Sequence, residues 1–276
     1  MTILVTGATG NVGSEVLRAL HDRQTDERVL VASRDASGGP DHRYFDFDDA
    51  GTFPAALEEV DYVFLLRPPT QTGVRNIYGP LIDELMSAGV RGVVFLSVYG
   101  ADTQRLLPHH TIERMLSGSG LPHYFLRPTY FMQNLTTTLY DQVKTGHLDL
   151  PAGDAVFNWV DVRDIGAAAA NLLLDFPNHS DEREGITLAT YENLDFHRVA
   201  ERSQGTALPF TYTPVSVPVF ILDRRAAGDA VGYAAAVAAI HYLQRFQQPV
   251  MARTDWRQLI GRDPHTLQDF FDRVEG

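Results

Sequence analysis

The chain opens with MTILVTGATGNVGSEVLRAL, residues 1–20. A short run of β-favouring residues at 3–5 is followed by three glycines at three-residue spacing, Gly7, Gly10 and Gly13. Apolar residues then recur at the period of a helix. The stretch therefore predicts a strand, a glycine-rich turn and an amphipathic helix.

A turn of this kind is suited to a dinucleotide. The first N–H groups of a helix have no partners within the helix and carry its positive dipole end, so they favour a phosphate. Gly7 would allow the tight turn, Gly10 the close approach of a pyrophosphate, and Gly13 the packing of helix against strand. A plain glycine turn is the alternative, but the position between a strand and an amphipathic helix favours dinucleotide binding.

Composition excludes several classes of function. The 276 residues include 35 acidic and 23 basic side chains, for a net charge of -12. Without a cluster of Lys and Arg, we expect no direct contact with nucleic acid. The absence of cysteine excludes disulfides and thiolate catalysis. Since no leader and no run long enough to span a bilayer is apparent, we expect a cytoplasmic protein without membrane contact.

Strand and helix patterns alternate through the first half of the chain. Such alternation with nearly continuous apolar strands predicts a parallel sheet covered by helices on both faces. The predicted strands are residues 3–5, 29–32, 44–45, 62–66, 93–96 and 124–126, and the helices between them include 53–60, 77–86 and 112–116.

Helical patterns dominate beyond Leu150. They lie at 165–174, 196–203, 226–246 and 267–274, with sparse strands at 156–160, 186–188 and 210–213. The predicted fold class is α/β, a Rossmann-type doubly wound parallel sheet with a small, mainly helical C-terminal lobe. We expect a nucleotide-binding core at 1–150, to which 156–190 returns, and a substrate-side lobe at 191–276. The carboxyl ends of the strands, where open α/β folds bind ligands, would lie under this lobe.

The residue after the second strand bears on cofactor choice. An acidic residue near this point holds a ribose 2′-hydroxyl, whereas an arginine accommodates a 2′-phosphate. Arg34 comes first and Asp35 competes with it. Arg34 favours NADP over NAD, and a solvated loop pair is the alternative.

Two further strand ends carry candidate cofactor contacts. Asp46 follows the third strand, where a carboxylate can accept a hydrogen bond from an adenine amino group; the alternative is a helix N-cap, because Asp48 and Asp49 lie beside it. Pro68 and Pro69 end the fourth strand and would border the cofactor.

The fifth strand and the helix after it carry candidate catalytic groups. Ser97 and Tyr99 end the strand, where a hydroxyl can face the reactive end of a nicotinamide. On a helix, Arg105, His109 and Glu113 would share one face at i, i+4 spacing. His109 would donate to a ribose or shuttle a proton, since its ordinary pKa is near neutral. The alternative is a surface histidine paired with Glu113.

His109 and His110 do not make a metal motif, because adjacent helical positions diverge and no third ligand is indicated. We therefore predict no metal site.

Several segments together resemble one family. They are TGATGNVG at 6–13, Ser-Arg at 33–34, FLSVYG at 95–100, HHTIERMLSGSGLPHYFLRPTYFMQNL at 109–135 and FNWVDVRDIGAAAA at 157–170. Nearly the whole chain is similar to the atypical short-chain dehydrogenase/reductase superfamily, and within it to the NmrA-like branch.

The resemblance implies that the chain binds NAD(P). Because Arg34 favours NADP, we expect NADP (NADPH) as cofactor, with NAD bound more weakly. Thr129, Tyr130 and Phe131 would lie near the nicotinamide, and Trp159, Asp161 and Asp164 would close the C-terminal side structurally. The predicted cofactor-binding residues are Gly7, Thr9, Gly10, Asn11, Val12, Gly13, Arg34, Asp46, Phe47, Leu66, Arg67, Pro68, Ser97, His109, Pro128, Tyr130 and Phe131.

The chain departs from the larger family at one point. That family uses Tyr-x-x-x-Lys, in which lysine lowers the pKa of the tyrosine. Here Arg105 stands at the tyrosine position and His109 at the lysine position. A histidine there is similar to the quinone, azo and triarylmethane dye reductase relatives, in which hydride transfer to a conjugated acceptor needs little acid catalysis. Relatives that bind the nucleotide and regulate also lack the pair.

The leading hypothesis is an NADPH-dependent oxidoreductase that reduces a small, planar, conjugated molecule, with His109, Tyr99 and Ser97 as catalytic residues. An aromatic lining of Tyr99, Tyr130 and Phe131 would suit such an acceptor. One alternative is a non-catalytic NADP-binding sensor that acts through a protein partner. Another is an isomerase or epimerase of a nucleotide sugar, against which the missing Tyr-x-x-x-Lys pair speaks. A homodimer and a regulatory protein partner both stay open.

Overall fold

The structure is a computed structural model that describes residues 1–35, 38–68, 71, 73–178, 183–251 and 254–274. The predicted contact Pro69 lies outside these residues. The strands are β1 Thr2–Thr6, β2 Arg28–Ser33, β3 His42–Tyr44, β4 Tyr62–Leu65, β5 Gly92–Leu96, β6 His123–Pro128, β7 Tyr130–Phe131, β8 His147–Leu150, β9 Phe157–Val160, β10 Arg183–Leu188, β11 Asn193–Leu194 and β12 Thr211–Pro214. The helices are α1 Asn11–Asp22, α2 Phe53–Leu57, α3 Val74–Ser87, α4 Pro108–Ser119, α5 Tyr140–Val143, α6 Val162–Asp175, α7 Phe196–Ser203, α8 Val217–Ala226, α9 Val231–Gln244, α10 Trp256–Ile260 and α11 Leu267–Val274.

The chain forms two compact units. The first consists of Met1–Pro128, Val162–Leu188 and Thr254–Asp263, and the second of Thr129–Asp161, Ala189–Arg253 and Pro264–Gly276. These boundaries differ from the predicted division at 150 and 190. After Pro128 the chain pairs within the second unit, since β7 lies beside β9 and β8 beside β12. Residues of the C-terminal region return to the first unit, where Asn171 Nδ2 donates to the Leu259 carbonyl at 2.7 Å.

A seven-stranded sheet forms the first unit. Its order is β10-β6-β5-β4-β1-β2-β3, and neighbouring strands are parallel. Leu4 of β1 lies opposite Leu30 of β2 on one side and Val63 of β4 on the other. The chain runs outward from β1 in both directions, so β1 and β4 flank the point where the strand order reverses. The predicted Rossmann-type α/β fold is confirmed.

Helices cover this sheet. α1 packs along α6, and α3 packs against α4. Strand residues such as Val63 and Phe95 form one buried cluster with Tyr78, Leu85 and Leu116 of α3 and α4. The continuous apolar strand patterns of the sequence arise because both faces are buried.

The second unit has its own core. Trp159 of β9 is fully buried, and its Nε1 donates to the Leu194 carbonyl at 3.0 Å. The buried Asp161 accepts from Gln133 Nε2 at 2.7 Å and pairs with Arg273. Aromatic side chains of β9 and α7 pack around these groups.

Two predicted helical features are wrong. The stretch 226–246 is not one helix, because α8 ends at Ala226 and α9 begins at Val231. Gly228 lies between them with φ +102°, a left-handed conformation that stops the first helix. Arg105 does not share a helix face with His109, since α4 begins only at Pro108, a residue favoured at the first helical position.

None of the helices in the described ranges is both long enough and apolar enough to cross a membrane.

Candidate functional site

The three glycines of the turn after β1 have different surroundings. Gly7 adopts φ +61°, and a Cβ added there would lie 2.3 Å from Leu66 Cδ2. A Cβ on Gly13 would lie 2.2 Å from the Gly7 carbonyl oxygen. A Cβ on Gly10 would meet only that same oxygen, at 3.3 Å. Gly7 and Gly13 are therefore required by the fold, whereas Gly10 leaves open space above the turn.

The amino end of α1 is accessible at this open space. Gly10 caps the helix without a side-chain hydrogen bond, and the first turn carries no acidic residue. Thr9, Gly10 and Asn11 are exposed, whereas Val12 and Gly13 are buried. Exposed amides at an uncompensated positive helix end fit the phosphates of a dinucleotide.

Arg34 follows β2, the strand next to β1, and its side chain is exposed. Its guanidinium has no ion-pair partner within the part of the chain that the structure describes. Ser33 Oγ donates to the Asp35 carbonyl at 2.8 Å, and the Asp35 N–H donates back to Ser33 Oγ at 3.2 Å. This turn leaves the Arg34 guanidinium available to an anionic ligand.

Asp46 after β3 belongs to a turn. Its Oδ1 accepts from the Asp48 N–H at 3.0 Å, and its own N–H donates to Thr52 Oγ1 at 3.1 Å. The helix-capping role belongs instead to Asp49, whose carboxylate accepts from the Gly51 N–H at 3.0 Å. One oxygen of Asp46 thus has no hydrogen bond to any described residue.

Phe47, the neighbour of Asp46, is half-buried. Its ring packs edge-on against Phe45 with centroids 4.8 Å apart, and it lies 5.9 Å from the Tyr78 ring. The backbone after β3 is held in place by these contacts.

Arg67 follows β4 at the switch point of the sheet. Its Nη2 donates to the Gln71 carbonyl, and its buried Nε has no hydrogen-bond partner among the residues described. Burial lowers the pKa of Arg67 from its ordinary value. Tyr78 Oη donates to the Leu66 carbonyl at 3.1 Å and steadies the same segment.

His109, on the first turn of α4, is held neutral. Burial, and next the nearby Arg67 guanidinium, lower the pKa of His109 to about 4. Its ring lies against Phe95 of β5, with centroids 6.1 Å apart. The imidazole therefore carries one N–H donor and one acceptor nitrogen near neutral pH.

Glu113 is bonded to Arg127 and Ser97, and not to His109 as in the alternative from helical spacing. Its carboxylate is buried and accepts from Arg127 Nε at 2.9 Å, Arg127 Nη2 at 2.7 Å and Ser97 Oγ at 2.6 Å. The Ser97 hydroxyl proton is thus committed to Glu113, and only 1% of Ser97 is exposed. Sequence reasoning missed Arg127; an arginine inside the otherwise apolar strand β6 is the signal that could have found it.

Tyr99 extends beyond β5 and is 38% exposed. Its backbone N–H donates to the Pro128 carbonyl at 3.0 Å, which holds the carboxyl ends of β5 and β6 together. Of the predicted catalytic residues, Ser97 uses its hydroxyl in a structural hydrogen bond, whereas the reactive atoms of His109 and Tyr99 form none with any residue in the described ranges.

Tyr130 and Phe131 form β7 of the second unit. Tyr130 Oη lies 2.8 Å from His241 Nε2. His241 Nδ1 lies 2.7 Å from the Val237 carbonyl, which accepts only, so Nδ1 carries the proton and Tyr130 donates to Nε2. Burial lowers the pKa of His241 to about 4 and raises the pKa of Tyr130. No local sequence pattern indicates the role of His241.

Strand order and glycine turn together define a Rossmann-type α/β protein with a dinucleotide-binding turn. Residues 1–244 match the NmrA-like family, and the chain belongs to that family.

Individual relatives agree with this assignment. The chain is 28% identical to prestalk A differentiation protein A of Dictyostelium discoideum over 282 residues, 98% of this chain and 91% of that protein. It is 32% identical to the NAD(P)H azoreductase of Xenophilus azovorans over 200 residues, 67% of each chain. Among solved structures, the Citrobacter sp. triphenylmethane reductase complexed with NADP(H) matches with a TM-score of 0.83 at 20% identity and covers 100% of both chains.

Proposed function

We propose that the protein is an NADPH-dependent oxidoreductase that reduces a small conjugated molecule. The observation that carries this proposal is the pairing of an open Gly10 turn with an unpaired Arg34. They follow β1 and β2, adjacent parallel strands in which Thr6 lies opposite Ala32. A pyrophosphate on the turn and a 2′-phosphate on the arginine are the two anionic groups of NADP.

Further cofactor contacts are part of this proposal. The backbone N–H groups of Thr9 and Asn11 would hold the pyrophosphate. The N–H of Gly10 already donates to the Gly7 carbonyl at 2.9 Å, so Gly10 would contribute the open space that the phosphates enter. The unused carboxylate oxygen of Asp46 would accept from the adenine amino group, beside the fixed ring of Phe47. Contacts from Leu66, Arg67, Pro68, Pro128, Tyr130 and Phe131 remain part of the proposal.

When bound, NADPH supplies the hydride that reduces the acceptor. The roles left to this chain are to orient the acceptor and to supply a proton. The neutral His109 imidazole would donate a hydrogen bond to a ribose or acceptor oxygen, and the exposed Tyr99 hydroxyl would supply a proton. Ser97 would act indirectly, since its hydroxyl is bonded to Glu113.

A conjugated acceptor is favoured by the chemistry of these groups. Neither the tyrosine nor the lysine of the larger family is present, and His109 with a pKa of about 4 is a weak acid catalyst at neutral pH. An electron-poor quinone, azo or triarylmethane compound delocalises the added charge and needs less protonation during hydride transfer. The azo substrate implied by the name of the Xenophilus relative supports this class.

A non-catalytic NADP-binding regulator is the second candidate. It is favoured by the missing Tyr-x-x-x-Lys pair, whose positions hold Arg105 and His109, and by a relative matched along 98% of the chain that is named as a differentiation protein. Such a protein would bind NADPH through the same turn and turn over no acceptor.

The test is a screen for loss of NADPH absorbance with quinones, azo dyes and triarylmethane dyes. The purified protein should oxidise NADPH with at least one acceptor, and Arg34→Ala should need more NADPH for the same rate. Tight NADPH binding with no turnover of any acceptor would select the regulator. Absence of NADPH binding would exclude both candidates.

A further inference from the structure

A polar pocket lies in the first unit, outside the glycine turn. Its volume is about 580 Å³, and it is lined by Arg75, Asp102, Arg105, His110, Thr111 and Arg114. No apolar side chain is among these lining residues. Arg75 lies in the first turn of α3, and Asp102 and Arg105 in the loop before α4. The pocket therefore opens where the connections that follow β4 and β5 lead into their helices.

The positive charge of this pocket is not compensated. Arg75, Arg105 and Arg114 are exposed and form no ion pair with any acid in the described ranges, although acids outnumber bases in the chain. Asp102, the one acid in the wall, pairs instead with Arg127, with Oδ2 and Nη1 3.5 Å apart. Three guanidinium groups thus face one concavity with no carboxylate bonded to them.

Neighbouring groups add to this chemistry. His110 Nδ1 donates to the Ala101 carbonyl at 2.7 Å, which fixes the ring in the wall. The Thr111 hydroxyl has no hydrogen-bond partner among the described residues, and Leu107 leaves the amino end of α4 without a side-chain cap. Guanidinium forks, a hydroxyl and a positive helix end all favour an oxyanion.

We propose that this pocket binds the phosphate or sulfonate group of a small ligand, at a place distinct from the glycine turn. The oxyanion is either a substituent of the acceptor or a free anion of the same chemistry. In both cases Arg105 and Arg114 are the groups that recognise it.

Pyrophosphate is the probe for the binding test. It is titrated calorimetrically into Gly10→Val protein without nucleotide, because this variant closes the glycine turn. Arg34, the other group proposed to bind an anion, is present in every variant compared and therefore does not affect the difference between them. Adding Arg105→Ala and Arg114→Ala should weaken binding at least tenfold, since each removes charge-assisted hydrogen bonds. Adding Arg225→Ala, an exposed arginine of α8 outside the pocket, should change the Kd by less than about twofold. No binding to Gly10→Val protein, or equal binding after loss of Arg105 and Arg114, would overturn the proposal.

Steady-state kinetics distinguish the two sources of the oxyanion. This experiment rests on the proposed function, because it requires turnover of an acceptor. A naphthoquinone and its sulfonate are compared as acceptors in Arg105→Ala/Arg114→Ala protein. A KM increase of about tenfold for the sulfonate alone, with kcat unchanged, assigns the pocket to the acceptor. Equal KM values for wild type and variant, together with lost pyrophosphate binding, assign it to a free anion. Because the calorimetry needs no turnover, a failure of the proposed function does not affect its result.

Discussion

The Glu113 carboxylate and the Arg127 guanidinium form a two-point ion pair, with Nε–Oε1 and Nη2–Oε2 distances of 2.9 and 2.7 Å. Oε1 also accepts the Ser97 hydroxyl proton. The pair links α4, which carries His109, to the ends of β5 and β6. The same hydrogen bonds raise the pKa of Arg127, so the guanidinium stays charged.

Removing the charge of Glu113 should destabilise the protein. In Glu113→Gln the largely buried Arg127 guanidinium would keep only the Asp102 carboxylate, which is exposed and lies 3.5 Å from Nη1. We expect the free energy of unfolding to fall by about 3 kcal/mol. Urea unfolding measures this change. Asp263→Asn is the control, because Arg257 and Asp263 form a two-point pair of similar geometry, at 2.9 and 2.7 Å, that is exposed to solvent. An equal decrease in the free energy of unfolding in both variants would show that burial does not strengthen the Glu113–Arg127 pair.

Substitution of Gly10 should impair ligand binding, whereas substitution of Gly13 should impair folding. Gly10 has φ -91°, which a side chain tolerates, so Gly10→Val should fold and bind NADPH at least about a hundredfold more weakly. Gly13→Ala should lower the free energy of unfolding by about 1–3 kcal/mol, because its Cβ would overlap the Gly7 carbonyl. Calorimetry and urea unfolding of both variants test the distinction. Normal NADPH binding by folded Gly10→Val would exclude the turn as the pyrophosphate site.

Arg34 should determine the preference between the two nicotinamide cofactors. Charge-assisted hydrogen bonds to a 2′-phosphate are worth roughly 1.5–3 kcal/mol, about tenfold to a hundredfold in affinity. Arg34→Ala should lose this advantage for NADPH and leave the Kd of NADH unchanged. Arg28→Ala, at the other end of β2, should keep the wild-type ratio. Equal affinities of wild type for NADPH and NADH would reject the role of Arg34.

The sequence predicted the first unit well because its signals are local. The Gly7–Gly13 turn lies between a buried strand and an amphipathic helix, and each signal spans a few residues. The Tyr130–His241 hydrogen bond joins residues 111 positions apart, so no local pattern indicates it. Helical spacing offers a pair of His109 with Glu113 as one alternative, but β6 brings Arg127 within hydrogen-bonding distance of the Glu113 carboxylate. The misplacement of Arg105 was avoidable, since Pro108 marks the helix start.

Stability should depend on pH through His109 and His241. Each has a pKa lowered from 6.5 to about 4 in the folded protein, chiefly by burial. Between pH 6.5 and about pH 4 the histidines of the unfolded chain bind protons that those of the folded chain do not. The free energy of unfolding therefore falls as the pH is lowered through this range. The slope is up to about 1.4 kcal/mol per pH unit for each histidine, and it vanishes above pH 6.5.

Urea unfolding from pH 8 to about pH 4.5 measures this dependence. His109→Gln and His241→Gln should each reduce the acid slope, whatever their effect on stability at pH 8. An unchanged slope in both variants would show that neither histidine is held neutral by the fold.

His109 should contribute to turnover by orienting a ligand and not by transferring a proton. A residue that acts as general acid contributes about a hundredfold to ten-thousandfold, and its pKa is usually near the working pH. Because the pKa of His109 is about 4, the imidazole is neutral and should orient the ribose or acceptor instead of shuttling a proton. His109→Ala should therefore lower kcat by less than about a hundredfold, and kcat/KM of wild type should show no inflection from this group between pH 5 and 8. Tyr99→Phe is measured beside His109→Ala, because it removes the hydroxyl proposed as the proton donor and keeps the ring. His109 would be the general acid if His109→Ala lowered kcat more than a hundredfold and if kcat/KM of the wild type showed an inflection near pH 6.5 that the variant lacked. A decrease in kcat of less than about twofold would show that His109 has no role in turnover.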